Sequence, residues 1–478
     1  MEEYTQVMPE GKPFCFLNDK FMQKKASKKA KGPGFIPMAV VNPHAAGIDV
    51  GDTLHAVAVP ANRDKQSVRT FGTMSADLEE IVVWLEKCGV DTIALESTGV
   101  YWKPLFNYLI GHGFEVYLVN ARHVRNVTGR KTDQSDAQWL QQLHSCGLLK
   151  SSYLPDNEQE SLRTMVRYRK TLTRESSRFV LRMQKALELM NIKLHTVISD
   201  LTGKTGTAIV EAILAGERKA ANFLPLIDGR IKADHGVIVK SLEGNWRSEQ
   251  LFTLEESYTC YKFFQERIAK CDQAIEVQLQ QYAAVQNEAK APLMETEKES
   301  EQGRVKKKNK KAPKFDTRSF LTGILGVDVL AIYGLSEVSA LEILAETGTD
   351  MSKWNSEKHF VSWLNLCPNN KISGGKMLSS RLAKKKPNAA SQAFRMAANS
   401  VQRSDHWLGD YFRRMKSKGG NKYAIVATAN KMATIYYKMV RNKVAFSPLD
   451  LNQYQEKRKQ AKIAYLERKL EQLKKGAA

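Results

Sequence analysis

The chain has no run of about 18 apolar residues, so no segment is expected to cross a membrane as a helix. Its first residues, Met1-Glu2-Glu3-Tyr4, are not a basic stretch followed by an apolar one, so secretion is not expected. Paired cysteines are missing as well. Cys15, Cys88, Cys146, Cys260, Cys271 and Cys367 are scattered through apolar segments with no C-x-x-C spacing. That distribution argues against a zinc site and a disulfide framework, and fits reduced thiols in a cytoplasm. Acidic residues are too few to balance the basic ones: 73 Lys and Arg stand against 51 Asp and Glu, a net charge of +22. Such a surplus favours a polyanionic partner. Nucleic acid fits better than a membrane surface, because no strongly amphipathic anchor stands out.

What is present suits two to four globular domains: 478 residues with an ordinary 42% of hydrophobic side chains. The organising stretch is Ala46-Gly47-Ile48-Asp49-Val50, a short buried strand with a carboxylate at its end. Gly51 and Asp52 offer a tight turn, and Leu54 to Val59 can pair back as a hairpin. Asp49 and Asp52 could serve the turn alone. A metal-binding role for Asp49 needs partner acids elsewhere.

Residues 1–38 read as a basic flexible tail, with Lys24, Lys25, Lys28, Lys29 and Lys31 before Gly32-Pro33-Gly34. Residues 39–150 alternate strand (45–50, 54–59, 68–72, 91–96 and 114–119) with helix (76–88, 101–112, and on to about 148). A meander followed by parallel crossovers is the element order of a ribonuclease-H-like α/β domain. Residues 151–284 predict a helical, coiled-coil spacer. In its first helix, 156–194, Leu162, Met165, Leu172, Phe179, Met183, Ala186 and Met190 form a seam whose gaps hold Arg169 and Ser176. Arg163, Arg167, Lys170, Arg174, Arg178 and Arg182 recur on another face, as a solvated surface or a rail for phosphates. A second long helix, 251–282, could fold back on the first or zip to another subunit. Residues 285–317, with Lys306-Lys307-Lys308, read as a basic linker. Residues 318–445 read as a mainly helical domain, and 446–478 as a basic terminal helix projecting from the core. Within the helical domain, Gly334 to Val338 looks like a hairpin entering a helix. Lys371-Ile372-Ser373-Gly374-Gly375-Lys376 looks like a Gly-rich loop between lysines that can meet nucleic acid.

Three further acids stand out. Glu96 ends the strand Ile93-Ala94-Leu95 before a turn of small residues. Asp133 and Asp136 open a helix on one side, a turn apart, with N-capping an alternative role for Asp133. Two strand ends and a helix start can converge on one point. Phosphodiester cleavage places negative charge on the attacking and leaving oxygens, and paired divalent ions stabilise both. Hard ions such as Mg²⁺ or Mn²⁺ select oxygen donors, so a set of carboxylates without Cys or His is the expected site.

Asp49 in AGIDV, Glu96 in ALESTGVYW, and Asp133 with Asp136 in GRKTDQSDA resemble the acids of the insertion sequence one-ten transposase family. Val119-Asn120-Ala121-Arg122 and the helical spacer match too, and the resemblance covers roughly residues 44–445. It implies a RuvC-like catalytic domain with a DEDD set that holds divalent metal. Leu366-Cys367-Pro368 through Ile372-Ser373-Gly374 resembles the segment that carries the family's serine nucleophile, which makes Ser373 the attacking residue, with Ser379 and Ser380 as rivals. Gly334 to Gly348 is similar to the family's helix-hairpin-helix-like opening, with Ser336 in place of its second hairpin glycine. The resemblance further implies DNA ends and target as substrate, a non-coding bridge RNA as guide, a homo-oligomer joined through the long helices, and a cytoplasmic, nucleoid-associated site of action. Three rivals remain: a hydrolytic RuvC-like nuclease that needs no serine, an actin-like ATPase suggested by Gly47 to Thr53 but lacking its other phosphate loops, and a non-catalytic RNA-binding protein.

Overall fold

A computed structural model describes residues 39–97, 99–119, 133–288, 310–383 and 388–476, and leaves out the side chains of residues 133–135, 285–288, 473, 475 and 476. The expected basic tail, most of the expected linker and Lys384-Lys385-Lys386 lie outside the described residues. The chain divides into two compact units, Met1–Tyr153 and Leu154–Ala478.

The first unit runs β1 (Ala45–Val50), β2 (His55–Ala58), β3 (Val68–Phe71), α1 (Ser75–Lys87), β4 (Thr92–Glu96), α2 (Trp102–Gly111), β5 (Glu115–Val119) and α3 (Asp133–Ser145). Its five strands lie in the order β3-β2-β1-β4-β5. β1 pairs antiparallel with β2 and parallel with β4, and β4 pairs parallel with β5. The α/β expectation is met for a simple reason. Ile48, Val57, Ile93 and Leu95 are fully buried bulky residues that alternate with smaller ones, so each central strand has a bulky and a flat face. The flat face carries Gly47, Ala56, Ala58 and Ala94, and α3 seats on it with Ala137 and Leu140.

The second unit begins with α4 (Asn157–Leu189), α5 (Lys204–Leu214), α6 (His235–Leu242) and α7 (Ser248–Glu288). α4 ends five residues before the expected position, because Asn191 takes a left-handed backbone (φ 60°) just past the cap at Met190. The two long helices pair antiparallel within the chain. Phe179 stacks on Phe264, Ser176 accepts from Gln265 at 2.8 Å, and Arg169 forks onto Asp272. The seam expected to join subunits is therefore filled internally, and the polar residues in its gaps face their partners rather than solvent. At the far end of the pair, Met183, Met190, Ile209, Phe223, Ile238 and Leu254 close a separate small core.

α8 (Thr317–Leu325), α9 (Glu337–Thr347), α10 (Glu357–Trp363), β6 (Asn369–Ser373), β7 (Lys376–Arg381), α11 (Ala389–Ser400), α12 (Trp407–Asn442) and α13 (Leu451–Gly476) complete the unit. Local packing adds detail to three of these segments. The expected hairpin at Gly334 to Val338 is a tight turn, with Leu335 N donating to Ile332 O at 3.1 Å and Gly334 at φ 87°, after which Ser336 caps α9. The end of the expected linker is packed, since Lys310 pairs with Asp200. The base of the terminal helix is held down by Arg458 on Asp410 at 2.8 Å and by Tyr454 against Trp407.

Two predictions follow from packing. Arg169 and Asp272 are both buried, so Arg169→Ala strands a carboxylate and is expected to cost about 3–5 kcal/mol in urea unfolding of the full chain. Burial pushes the imidazoles of His55 and His144 below the usual histidine range, against opposing pulls from Asp77 on the first and from Glu115 and Asp91 on the second. Folded values below unfolded ones mean that the neutral rings contribute fully above about pH 6.5, and that this contribution is lost as pH falls through the lowered values. Hydrogen exchange, corrected for intrinsic rate, should show β1 and α3 losing protection as pH falls below about 6.5.

Candidate active site

β1 and β4 run parallel with Ile48 beside Leu95. Asp49 and Glu96 are the residues that follow this last pair, on strands that in a sheet lie about 4.8 Å apart. Alternation puts Asp49 on the face of Gly47 and Glu96 on the face of Ala94, which is the side that α3 covers. Both acids are half-buried.

The direction of α3 follows from its contacts. Ser145 O accepts from Val41 N at 2.7 Å and Asn42 N at 2.9 Å, and Gln141 Nε2 donates to Ala45 O at 3.2 Å. Ala137 O would lie 2.5 Å from a Cβ on Gly47, and the backbone nitrogen of Gln141 would overlap it outright. The helix thus runs antiparallel to β1. Its first turn, with Asp133 and Asp136, lies at the strand's carboxyl end, where Asp49 sits. The side chain of Asp136 is exposed; that of Asp133 lies outside the described residues. Asp52, the other acid of the β1–β2 turn, is exposed where Gly51 N donates to Leu54 O at 3.0 Å.

Among the described residues, no three His, Cys, Asp or Glu side chains stand close enough to hold an ion together. The pair that the strands bring abreast offers only hard oxygen donors from a half-buried strand edge. That donor set fits Mg²⁺ or Mn²⁺ and suits neither zinc nor copper.

Ser373 belongs to the second unit, where the expected loop is a β-hairpin. Ser373 and Lys376 pair across Gly374 and Gly375, whose φ values of 53° and 73° make a two-residue turn with both central residues in the left-handed region that glycine adopts most readily. The base is pinned: Asn365 Nδ2 donates to Ala383 O at 3.2 Å, and Asn430 Nδ2 to Leu366 O at 3.0 Å. Ser373, Lys371 and Lys376 are exposed, as are Ile372, Met377 and Leu378 at 60–70%. Ser380 is exposed and Ser379 half-buried on the opposite strand.

The six basic residues of α4 fall into two sets. Arg167 donates to Glu346 at 2.7 and 2.9 Å, Arg163 approaches the same carboxylate at 3.6 Å, and Lys170 donates to Glu342 at 2.6 Å. These three tie α4 to α9, so the expected continuous phosphate rail is interrupted by structural ion pairs. Arg174, Arg178 and Arg182 are exposed, with Arg178 on Glu175 at 2.8 Å and Arg182 over the ring of Phe179. Glu342 and Glu346 were not singled out from the sequence. Their signal is two acids one turn apart in an otherwise apolar helix, facing basic residues of the same spacing.

Comparison with known protein families gives two matches. A model for the DEDD transposase domain of IS110 elements, described as "Transposase", matches residues 46–192, and one described as "Transposase IS116/IS110/IS902 family" matches residues 328–413. The chain belongs to the IS110 transposase family. No curated protein matches it significantly. As a transposase it is a DNA-binding, DNA-cleaving and recombining enzyme. Its first matched segment holds Asp49, Glu96, Asp133 and Asp136, and its second holds Ser373. No described helix of the transposase is long and apolar enough to cross a membrane.

The close approach at Gly47 is testable by itself. Gly47→Ala must push α3 off the sheet, since the added methyl meets backbone rather than a movable side chain. A loss of about 1–3 kcal/mol in denaturant unfolding is expected.

Proposed function

We propose that this transposase moves an insertion sequence by metal-dependent cleavage and exchange of DNA strands, with Asp49, Glu96, Asp133 and Asp136 as the metal-holding acids and Ser373 as nucleophile. What supports the reading is the parallel pairing of Ile48 with Leu95, each followed at once by an acid, Asp49 and Glu96, on the sheet face that α3 covers. Bound there, Mg²⁺ or Mn²⁺ would supply charge stabilisation to the phosphorane-like transition state. Within the chain, the strand ends hold the two carboxylates at fixed spacing, and α3 brings its own acids to the same edge. The hydroxyl of Ser373 gives its proton to solvent water and its oxygen bonds to phosphorus. The bond from phosphorus to the leaving sugar oxygen breaks, and that oxygen takes up a proton from solvent water. A DNA–phosphoserine link conserves the energy of the broken bond, so a second hydroxyl can reverse the step on a new strand. The exposure of Ser373 at a tight turn, with Lys376 across from it, supports this role.

The same reading keeps residues 39–150 as the catalytic domain, 151–284 as the spacer and 318–445 as the serine-bearing domain. A bridge RNA as guide is supported by the exposed cations Arg174, Arg178 and Arg182, and by Lys371 and Lys376 on the hairpin; delegating recognition to base pairing explains why no base-reading module stands out. A homo-oligomer is part of the reading, through a surface other than the α4–α7 seam. The enzyme works on chromosomal DNA in the cytoplasm.

The test uses element-end DNA, guide RNA and Mg²⁺ with three proteins. Wild type is expected to give recombinant product and a covalent protein–DNA adduct. Ser373→Ala is expected to give neither, and Asp49→Asn to lose at least a hundredfold of both. Cleavage that persists in Ser373→Ala without an adduct would establish the hydrolytic nuclease instead. Chelation with EDTA should abolish product in the wild type, and added Mg²⁺ or Mn²⁺ should restore it.

A further inference from the structure

The ribbon of β6 and β7 has two unlike faces. Cross-strand partners share a face, and so do residues two apart on one strand. Lys371, Ser373, Lys376 and Arg381 therefore lie on one face, and Ile372 pairs with Met377 on the other. Leu378 is the extra residue at the register shift beside that pair. All seven are exposed. The stretch from Lys358 to Ser404 contains no Asp or Glu. Among the described residues no carboxylate pairs with Lys371, Lys376 or Arg381. Gly374 and Gly375 put no side chain on the tip, and open space surrounds both, so nothing bulky bars the tip from advancing. The ribbon is one backbone thick, so whatever meets one face lies within about 10 Å of whatever meets the other.

We propose that this hairpin is a wedge that parts DNA strands. Its cationic face takes the phosphates of one strand, and Ile372 with Met377 caps the base left bare where that strand leaves its complement. The pairing of the two faces decides the ligand class. A closed duplex offers phosphates on its outside and hides the flat faces of its bases. An apolar protein surface would cover Ile372 and Met377 and leave the cations of the opposite face without anions. DNA opened at one step presents an anionic backbone and a bare base side by side, which matches both faces at the spacing of one ribbon. Ile, Met and Leu are among the side chains that proteins insert between base steps. Opening a step is costly, and the phosphate contacts and the apolar cap offset that cost together. The inference goes beyond the proposed function by giving the strand a path past Ser373. It rests on DNA binding and not on the chemistry of the serine, so it is read in a protein that cuts nothing.

The test uses the full chain carrying Ser373→Ala, without divalent metal, as parent protein. Fluorescence anisotropy compares a forked DNA with a closed duplex of the same sequence, and 2-aminopurine at the fork reports lost stacking as a rise in fluorescence. The parent should prefer the fork about tenfold, the worth of burying roughly 60 Å² of apolar surface, and should raise the fluorescence. Ile372→Ser together with Met377→Ser should remove the preference and the rise while leaving closed-duplex affinity unaltered. Lys376→Glu should weaken binding to both DNAs. Phe252→Ser, at an exposed apolar position on α7, should change neither. No fork preference in the parent, a preference that survives the double substitution, or an equal loss from Phe252→Ser would overturn the wedge. If the preference survives and the double variant instead loses oligomeric mass in light scattering, the apolar face joins two copies of the chain and the wedge is wrong. If the double variant melts early, 4-thiothymidine at the fork decides in the parent: photoadducts on Ile372, Met377 or Leu378 support the inference, and adducts only elsewhere on the chain end it. None of these outcomes bears on the covalent adduct by which the serine is tested.

Discussion

The candidate site depends on how closely α3 lies on β1. At Gly47 the helix backbone comes within the space a methyl group would need, and Ala56, Ala58 and Ala94 keep the surrounding sheet equally flat. Bulkier residues there would lift the helix by an ångström or more and carry its acids away from the strand ends. Gln141, reaching back to Ala45 O, and Ser145, receiving Val41 N and Asn42 N, lock the axial position along the strand. Close approach sets the height of the helix and hydrogen bonds set its register. Together they decide where Asp136 stands relative to Asp49.

A different constraint governs the second unit. α4 carries cations on several faces, and the fold sorts them by what lies opposite. Arg169 turns into the seam against Asp272, where a charge survives only because it is paired. Arg163, Arg167 and Lys170 meet Glu346 and Glu342, buried acids of α9 that would be costly without them. The remaining arginines face solvent. The strong positive charge of the chain is therefore not all available to nucleic acid, since part of it neutralises internal carboxylates and fixes the spacer to the helical body.

The hairpin that bears Ser373 is built on a third plan. Two consecutive left-handed glycines close it, side-chain amides pin its base, and its apolar residues Ile372, Met377 and Leu378 stay exposed among the described residues. A two-stranded ribbon with so little packing gains little stability from its own contacts. Such an element suits the role proposed for Ser373, whose hydroxyl would have to reach a phosphate on a large polymeric substrate. The role proposed for the acids asks for the opposite, a rigid sheet edge, and Asp49 and Glu96 stand on one.

Much of this was legible from residue order. Alternating small and bulky residues around Ile48 and Leu95 determine strands with one flat face, and the carboxylates at their ends follow from position alone. The seam of α4 was readable from its spacing, including the polar gaps at Arg169 and Ser176. Three things needed tertiary structure. Whether the long helices pair with each other or with a second copy is settled by Asp272 and Gln265 lying opposite Arg169 and Ser176, more than eighty residues away in sequence. Which basic residues are structural depends on Glu342 and Glu346, whose distance along the chain hides the match. The form of the Gly-rich segment depends on cross-strand pairing between Lys371 and Ser379, where a local reading sees only a flexible loop. Local pattern determines what each segment can become; only long-range partners decide which charges and surfaces it keeps free.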